Sequence, residues 1–229
     1  MGTVKYRPGL GDTDGVMDPM NAPEALPIAD ARTRLLDGLA AVLNDKPYAE
    51  ITVADIVAKA RVSKRTFYEQ FPSKETCLLT LGERLGNEVL ALVAATYRHE
   101  AEWVDQLRNV TQVYLGCMAS QPSVLRALYI DLPTLGPQGL ALRRRITDQF
   151  SAFLVAQVEL FRLTEPRKRP LTPAMAAAVV GGVNELILRA IEEGRTAELP
   201  SLTPTVTEFI QAVIESLNPP GVFGTPAQG

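Results

Sequence analysis

The stretch Thr52–Lys74, TVADIVAKARVSKRTFYEQFPSK, predicts two short helices joined by a tight turn. Thr52 is a favourable N-cap, and Asp55 three residues later completes the pattern of a capping box. Ser63 begins the second helix in the same way. Because only residues 60–62 separate the two helices, they cannot continue as one rod and must cross at a steep angle. This is the geometry of a helix-turn-helix motif.

The second helix has two chemically different sides. Phe67 and Phe71 are four residues apart, so they lie on one face, which we expect to point inward. The other directions carry polar or amphipathic side chains: Lys64, Arg65, Thr66, Tyr68 and Glu69. Cations and hydroxyls near the N-terminus of an exposed helix suit phosphates and base edges, and the helix dipole favours phosphate there. Recognition helices present such N-terminal residues to the major groove.

These residues, in this register, resemble the DNA-binding signature of the TetR family of transcriptional regulators. The resemblance covers roughly residues 30–80 and is carried by Ile56-Val57-Ala58, Ala60-Arg61-Val62-Ser63, Thr66-Phe67-Tyr68, Phe71 and Ser73-Lys74-Glu75. Two positions depart from the family pattern: Arg61 replaces a frequent glycine, and Gln70 replaces a frequent histidine. A left-handed residue other than glycine costs on the order of 1 kcal/mol. Arg61 must therefore either accept that strain or avoid the left-handed conformation.

The motif and the resemblance together predict the residues that contact DNA: Thr52, Arg61, Ser63, Lys64, Arg65, Thr66, Tyr68 and Lys74. The resemblance assigns Lys74 to a DNA phosphate. Two roles remain open for Glu69, which could accept a hydrogen bond from cytosine or pair with Arg65 one turn earlier.

The charge of the chain is acidic as a whole and basic locally. The 229 residues are 46% hydrophobic, which is enough for a sizeable core, and carry a formal net charge of -3. Between residues 59 and 74, however, five cations face a single anion, Glu69. This distribution argues against nonspecific coating of nucleic acid and favours a small, specific DNA footprint.

The composition gives no support for an enzyme, a metal protein or a secreted protein. Cys77 and Cys117 are too few for a disulfide framework and form no metal-ligand motif. His99 is the only histidine, and no nucleophile elbow accompanies it. We predict no catalytic residue, cofactor or metal. The absence of a signal sequence or an apolar run near eighteen residues predicts a cytoplasmic, soluble protein without a membrane partner.

Hydrophobic periodicity predicts an all-α fold of about nine helices. We expect a disordered arm over residues 1–27, a helix-turn-helix DNA-binding domain over 28–76, a larger helical effector-binding and dimerisation domain over 77–218, and a mobile tail over 219–229. A first helix over 30–44 should complete a three-helix domain. The helix that begins after Ser73 is long enough to connect that domain with the rest. Later helices are expected near 101–119, from 122, and over 140–163, 172–194 and 203–217.

The larger domain should supply a dimer interface and a ligand site. The resemblance implies that the last two helices, one rich in small residues and one with an apolar stripe, form a four-helix interface between two copies. Simple core packing explains both helices nearly as well. The resemblance also implies an effector pocket between the fourth and seventh helices. Its candidates are Leu92, Tyr97, Trp103, Leu107, Tyr114, Cys117, Met118, Phe150, Phe153 and Gln157.

We therefore expect a dimeric regulator that binds a palindromic operator in double-stranded DNA. As a repressor, it would be released by an apolar or aromatic small molecule. Two alternatives have different consequences. An enzyme acting on an apolar substrate would share the pocket but lacks an acid–base pair or nucleophile. A helical interaction protein with a vestigial helix-turn-helix would not need Lys64, Arg65, Tyr68 and Lys74.

Overall fold

The computed structural model describes residues 28–97 and 102–217, and these ranges contain only helices, turns and loops. The predicted arm 1–27 and the predicted tail 219–229 lie outside the described residues. The helices are α1 (Ile28–Leu43), α2 (Val53–Ala60), α3 (Lys64–Gln70), α4 (Lys74–Thr96), α5 (Trp103–Ser120), α6 (Pro122–Arg126), α7 (Leu132–Thr134), α8 (Pro137–Arg162), α9 (Pro173–Glu192) and α10 (Thr203–Glu215). Short 3-10 helices cover Tyr48–Glu50 and Thr196–Leu202.

A π-helical segment, Ala127–Asp131, joins α6 to α7 without a break. If α6, the π-helical segment and α7 are counted as one helix, the described residues contain nine helices in addition to the short 3-10 helices. This agrees with the prediction of about nine. Pro133 gives the physical reason for the widened turn, because it has no N–H to donate to the carbonyl four residues earlier. The segment packs against the 3-10 turn Tyr48–Glu50, which precedes the helix-turn-helix.

The N-terminal domain packs α1 across α2 and α3. Leu35, Leu39, Ile56, Phe67 and Phe71 are completely or almost completely buried in its core. Gly38 permits the close crossing of α1 and α2, because a Cβ atom there would lie 2.9 Å from the carbonyl oxygen of Ile56. Any larger residue would push the two helices apart.

The core of this domain continues into the larger one. The same buried cluster includes Leu78 and Leu81 of α4 and then Val124, Leu132 and Leu142 from α6, α7 and α8. The predicted boundary at residue 76 therefore lies inside a continuous hydrophobic cluster. Two smaller clusters fill the remainder: one around Leu115, Ile187 and Val206, the other around Val158, Ala176 and Ile214.

Two details of the larger domain differ from the sequence expectations. α8 begins at Pro137 rather than near Leu140, because proline is well accommodated at the first helical position. In addition, α9 is long and apolar enough by composition to span a membrane, contrary to the expectation that no such run exists. Its buried residues, including Ala176, Val179 and Ile187, pack into the protein core, which accounts for its apolar character.

Candidate nucleic-acid interface and ligand cavity

The helix-turn-helix is held by side-chain caps at each of its helix starts. The hydroxyl of Thr52 accepts a hydrogen bond from the Asp55 N–H, and the Asp55 carboxylate accepts one from the Thr52 N–H at 2.8 Å. The predicted capping box is therefore confirmed. The hydroxyl of Ser63 accepts from the Thr66 N–H, and that of Ser73 from the Thr76 N–H. Each cap fixes the angle at which one helix begins.

Arg61 forms the turn between α2 and α3 in a left-handed conformation, with φ 53° and ψ 46°. Of the two possibilities that the sequence left open, the arginine thus accepts the strain. The N–H of Val62 donates to the carbonyl of Val57 at 3.1 Å, which closes the end of α2 in the manner of a Schellman motif. The side chain of Arg61 is exposed, two residues before the Ser63 cap of α3.

The exposed face of α3 and the turn before it combine an aromatic side chain with cations. Tyr68 is 59% exposed and touches the edge of the buried Phe67 ring. Arg65 donates from Nε to Glu69 at 2.9 Å, which favours the ion-pair role for Glu69. Among the described residues, no carboxylate lies within 4.0 Å of the Arg61 or Lys64 charge. These two cations are therefore available to an external anion.

Two residues predicted to contact DNA, Lys74 and Thr52, already form hydrogen bonds with other residues of the same chain. Lys74 donates from Nζ to the carbonyl oxygen of Ile51 at 2.8 Å and to that of Tyr48 at 3.3 Å, and it lies over the Tyr48 ring. The hydroxyl hydrogen of Thr52 is donated to the Asp55 carboxylate at 2.6 Å. Lys74 retains one N–H for a phosphate, whereas Thr52 can offer a phosphate no hydrogen while its cap is closed.

Lys46 completes the network below α2. Its Nζ lies 2.7 Å from the Asp55 carboxylate. Hydrogen bonds from Lys46 and Thr52 hold the pKa of Asp55 well below its usual range. The carboxylate therefore stays ionised at neutral pH and keeps the cap of α2 closed.

Arg32 is a functional neighbour that the sequence did not predict. It donates to the carbonyl oxygen of Gln70, the last residue of α3, at 2.9 Å. Its guanidinium also lies 4.4 Å from the centre of the Phe71 ring. A cation at the C-terminus of a helix complements the helix dipole. Arg32 thus holds the recognition helix against α1, and no local signal in the sequence of α1 singled it out.

A cavity of about 280 Å³ lies between α4, α5, the π-helical segment, α8 and α9. Its wall is mostly aliphatic and aromatic. The described lining residues are Gly82, Leu85, Gly86, Glu88, Val89, Leu92, Tyr114, Cys117, Met118, Ser120, Gln121, Val124, Leu125, Leu128, Tyr129, Leu132, Arg143, Ile146, Thr147, Phe150, Val180 and Asn184. The volume approaches the lower end of the range typical of ligand pockets, about 300–1,000 Å³.

The structure brings most of the predicted pocket residues together. Five of them line this cavity: Leu92, Tyr114, Cys117, Met118 and Phe150. An adjoining cavity of about 100 Å³ is lined by Leu107 and Phe153 and shares Tyr114 and Phe150 with the larger one. Tyr97, Trp103 and Gln157 line neither cavity. Trp103 instead stacks on Phe161 at 4.9 Å in a separate cluster, because α5 begins beside the end of α8.

The sequence did not identify Asn184 and Arg143 as cavity residues. Tyr129 donates from its phenol to Oδ1 of Asn184 at 2.9 Å. Burial raises the pKa of Tyr114 to about 12 and that of Tyr129 well above its usual value, so both phenols keep their protons. An asparagine within the apolar run of α9 was the available signal, since a polar residue in such a setting usually has a partner.

Fold and site together define a helix-turn-helix DNA-binding protein with a cavity of small-molecule size in its helical second domain. The family described as "Bacterial regulatory proteins, tetR family" matches residues 35–81. The match covers the DNA-binding head, and it supports the predicted resemblance to TetR-family regulators of transcription. Proteins of this family typically dimerise and bind small-molecule effectors, and they are generally non-enzymatic.

Two named relatives are similar to most of the chain, and a solved structure shares its fold. The chain is 28% identical over 166 residues to the nucleoid occlusion factor SlmA of Marinomonas sp. (strain MWYL1), covering 72% of this chain and 81% of that protein. It is 29% identical over 165 residues to the HTH-type transcriptional regulator EthR of Mycobacterium tuberculosis (strain ATCC 25618 / H37Rv). That alignment covers 69% of this chain and 74% of EthR. The fold also resembles FadR of Bacillus subtilis, solved with stearoyl-CoA, with a TM-score of 0.67 at 17% identity over 78% of this chain and 96% of that chain.

Proposed function

We propose that this protein is a homodimeric repressor that binds a palindromic operator and leaves it when an apolar or aromatic effector enters the 280 Å³ cavity. The observation that carries the proposal is the position of α4. Its N-terminal residue, Lys74, is bonded to the carbonyl groups just before the helix-turn-helix. Gly82, Leu85 and Val89 of the same helix line the cavity. A ligand that displaces α4 must therefore also displace the DNA-binding surface.

The DNA contacts in this proposal centre on the exposed face of α3 and its turn. Arg61 and Lys64 supply cations that no carboxylate of residues 28–97 or 102–217 approaches within 4.0 Å, and Tyr68 supplies an exposed phenol. Ser63, Arg65 and Thr66 lie at the same N-terminal end of the helix. Lys74 and Thr52 contribute mainly by fixing the geometry of the motif.

Selection from a random DNA library with the full chain tests the operator. We expect the selected DNA to contain an inverted repeat. The centres of its two half-sites should be separated by one helical turn of DNA, about 34–36 Å, or by a whole number of turns. Tyr68→Ala should abolish or strongly weaken binding without changing the thermal stability, because this side chain is mostly exposed. Leu163→Ala, at another exposed apolar residue far along the chain, is the matched control. A selected sequence without two-fold symmetry would contradict the proposal.

The dimer is proposed to form through α9 and α10. Ala174, Ala178 and Gly181 are exposed along one side of α9, and Phe209 of α10 is 39% exposed beside them. Phe209 packs over Gly182, where an added Cβ would meet the ring at 3.2 Å. Small residues allow a second helix pair to approach closely, which suits a four-helix interface.

Gly181 offers a clean test of the dimer. A Cβ atom at Gly181 meets nothing within 4 Å, so Gly181→Arg leaves the packing of one protomer intact. Gly116 of α5 is open in the same way and provides the matched control, Gly116→Arg. In sedimentation velocity experiments we expect Gly181→Arg to be monomeric and Gly116→Arg to remain dimeric. Dimers of both variants would place the interface elsewhere.

The repressor assignment and the cellular compartment are part of the same proposal. Bound over a promoter, a dimer of this kind would exclude the transcription machinery, and we place the soluble protein in the cytoplasm with its DNA. A reporter gene behind the selected operator should be transcribed less when the chain is co-expressed. An increase in transcription would instead identify an activator.

A further inference from the structure

The cavity wall presents one face of α8. Arg143, Ile146, Thr147 and Phe150 all line the cavity, and their spacing of three and four residues places them on one side of the helix. The neighbouring arginines point elsewhere. Arg145 reaches Glu83 of α4 at 3.8 Å, and Arg144 is exposed and absent from the lining. Arg143 is thus the one member of the arginine run that is aimed at the cavity.

The charge of Arg143 has no close carboxylate in the part of the chain that the structure describes. Among the described residues, no carboxylate lies within 4.0 Å of it. Glu88 is the one carboxylate among the described lining residues, and it lies 3.7 Å from Arg84. Arg143 is an exposed residue of the cavity wall, so an acid group could pair with it at the solvent side while an apolar body enters the cavity.

A second polar position in the wall is also a donor. Oδ1 of Asn184 already accepts the Tyr129 hydroxyl hydrogen, so the amide nitrogen is the side that remains for a ligand. Arg143 and Asn184 therefore each offer a donor to acceptor atoms of a ligand. The volume of about 280 Å³ is roughly twice the 150 Å³ cavity that holds benzene in another protein, which leaves space for about ten heavy atoms.

We propose that the effector is an amphiphilic organic anion, a medium-length aliphatic or aromatic carboxylate whose acid group pairs with Arg143 while its apolar body fills the cavity. This inference rests on the proposed function, in which the same cavity is the effector site. It adds the charge, the size and the main contact residue of the ligand.

Titration calorimetry with three probes of matched length tests the inference: decanoate, decanol and decylamine, each below its micellar concentration. We expect decanoate to bind most tightly and decylamine most weakly. Decanol should bind about tenfold more weakly than decanoate, because it loses one charge-assisted hydrogen bond at a partly hydrated site. Arg143→Gln should weaken decanoate to the level of decanol and leave decanol unchanged. Arg144→Gln, one residue along and outside the lining, should change neither.

Other outcomes of the calorimetry would contradict either the preference for an anion or the effector site itself. Equal binding of decanoate and decanol, unaffected by Arg143→Gln, would disprove the anion preference and leave the apolar effector site standing. Tightest binding of decylamine would also disprove it. Absence of binding by all three probes would contradict the effector site itself. Val89→Trp should fill the cavity and abolish binding of decanoate and decanol alike, and retained binding would place the ligand outside it.

Discussion

The DNA-binding head, residues 28–76, and the cavity region differ in how completely their interiors are filled. In the head, Leu39, Ile56, Phe67 and Phe71 have almost no exposed surface, and α2, α3 and α4 each begin with a side-chain cap. In the cavity region, helices of similar apolar character leave about 280 Å³ unfilled between them. A surface that reads DNA must hold its shape, whereas a region that accepts a ligand must keep space for it. The two regions therefore differ in packing density, although one buried hydrophobic cluster extends through both.

The largest expected effect is on the free energy of unfolding, when a leucine is replaced by alanine in each of the two regions. Leu39→Ala should lower the free energy of unfolding by about 3–5 kcal/mol, because it leaves a cavity in a filled core. Leu128→Ala should cost less than about 2 kcal/mol, because that side chain already borders empty space. Urea unfolding followed by circular dichroism measures both. Equal losses would show that the cavity closes in solution.

A smaller effect is expected at the contact between α1 and α3. Arg32→Ala removes the hydrogen bond to Gln70 and the contact with the Phe71 ring, so it should cost about 1–2 kcal/mol and weaken DNA binding. Arg108→Ala, which removes an exposed ion pair on α5, is the control and should change little. If Arg32→Ala reduced DNA affinity without any loss of stability, Arg32 would be a direct DNA contact instead.

Arg61 separates stability from binding. Arg61→Gly relieves the left-handed strain and should raise the stability of the head by up to about 1 kcal/mol. The same change removes a cation, so affinity for DNA should fall, and the slope of log affinity against log salt should decrease by about 0.9 if one phosphate contact is lost. Lys64→Ala should reproduce the change in salt slope without the gain in stability. An unchanged slope for Arg61→Gly would remove Arg61 from the DNA contacts.

The smallest expected effect is the acid response of the head. Because the folded-state pKa of Asp55 is lowered, the unfolded chain binds more protons through this group as the pH falls. Its contribution is therefore present above the ordinary carboxyl pKa of about 4 and is lost as the pH falls through the lowered value. Asp55→Asn should flatten this part of the stability–pH curve, measured by thermal unfolding at several pH values. A curve identical to that of the parent would show that the network with Lys46 does not form in solution.

The head was largely predictable because its signals are local. Thr52, Ser63 and Ser73 each cap the helix that follows, and the Phe67–Phe71 spacing fixes which side of α3 is buried. The engagement of Lys74 by carbonyl groups was not predictable. It depends on residues more than twenty positions away, whose approach is set by the packing of α1 and α4.

The cavity was predictable only in part, because its wall is assembled from five separate parts of the chain. The sequence identified aromatic and sulfur-containing residues of α5 and α8 such as Tyr114, Met118 and Phe150. It did not show that Gly82 and Gly86 bring α4 close to Leu128 and Ile146. Two glycines four residues apart inside a helix were a usable signal, since each costs about 1 kcal/mol relative to alanine and calls for a packing reason.

The buried cluster that runs from Leu35 through Leu81 to Leu142 determines how movement can pass through this protein. A flexible joint between head and cavity would require an exposed linker with few contacts, whereas here hydrophobic side chains interlock across the predicted boundary at residue 76. Motion must then occur by small sliding of packed helices, as in shear rather than hinge movements. Unfolding should accordingly be one cooperative transition, with head and cavity region losing structure at the same denaturant concentration.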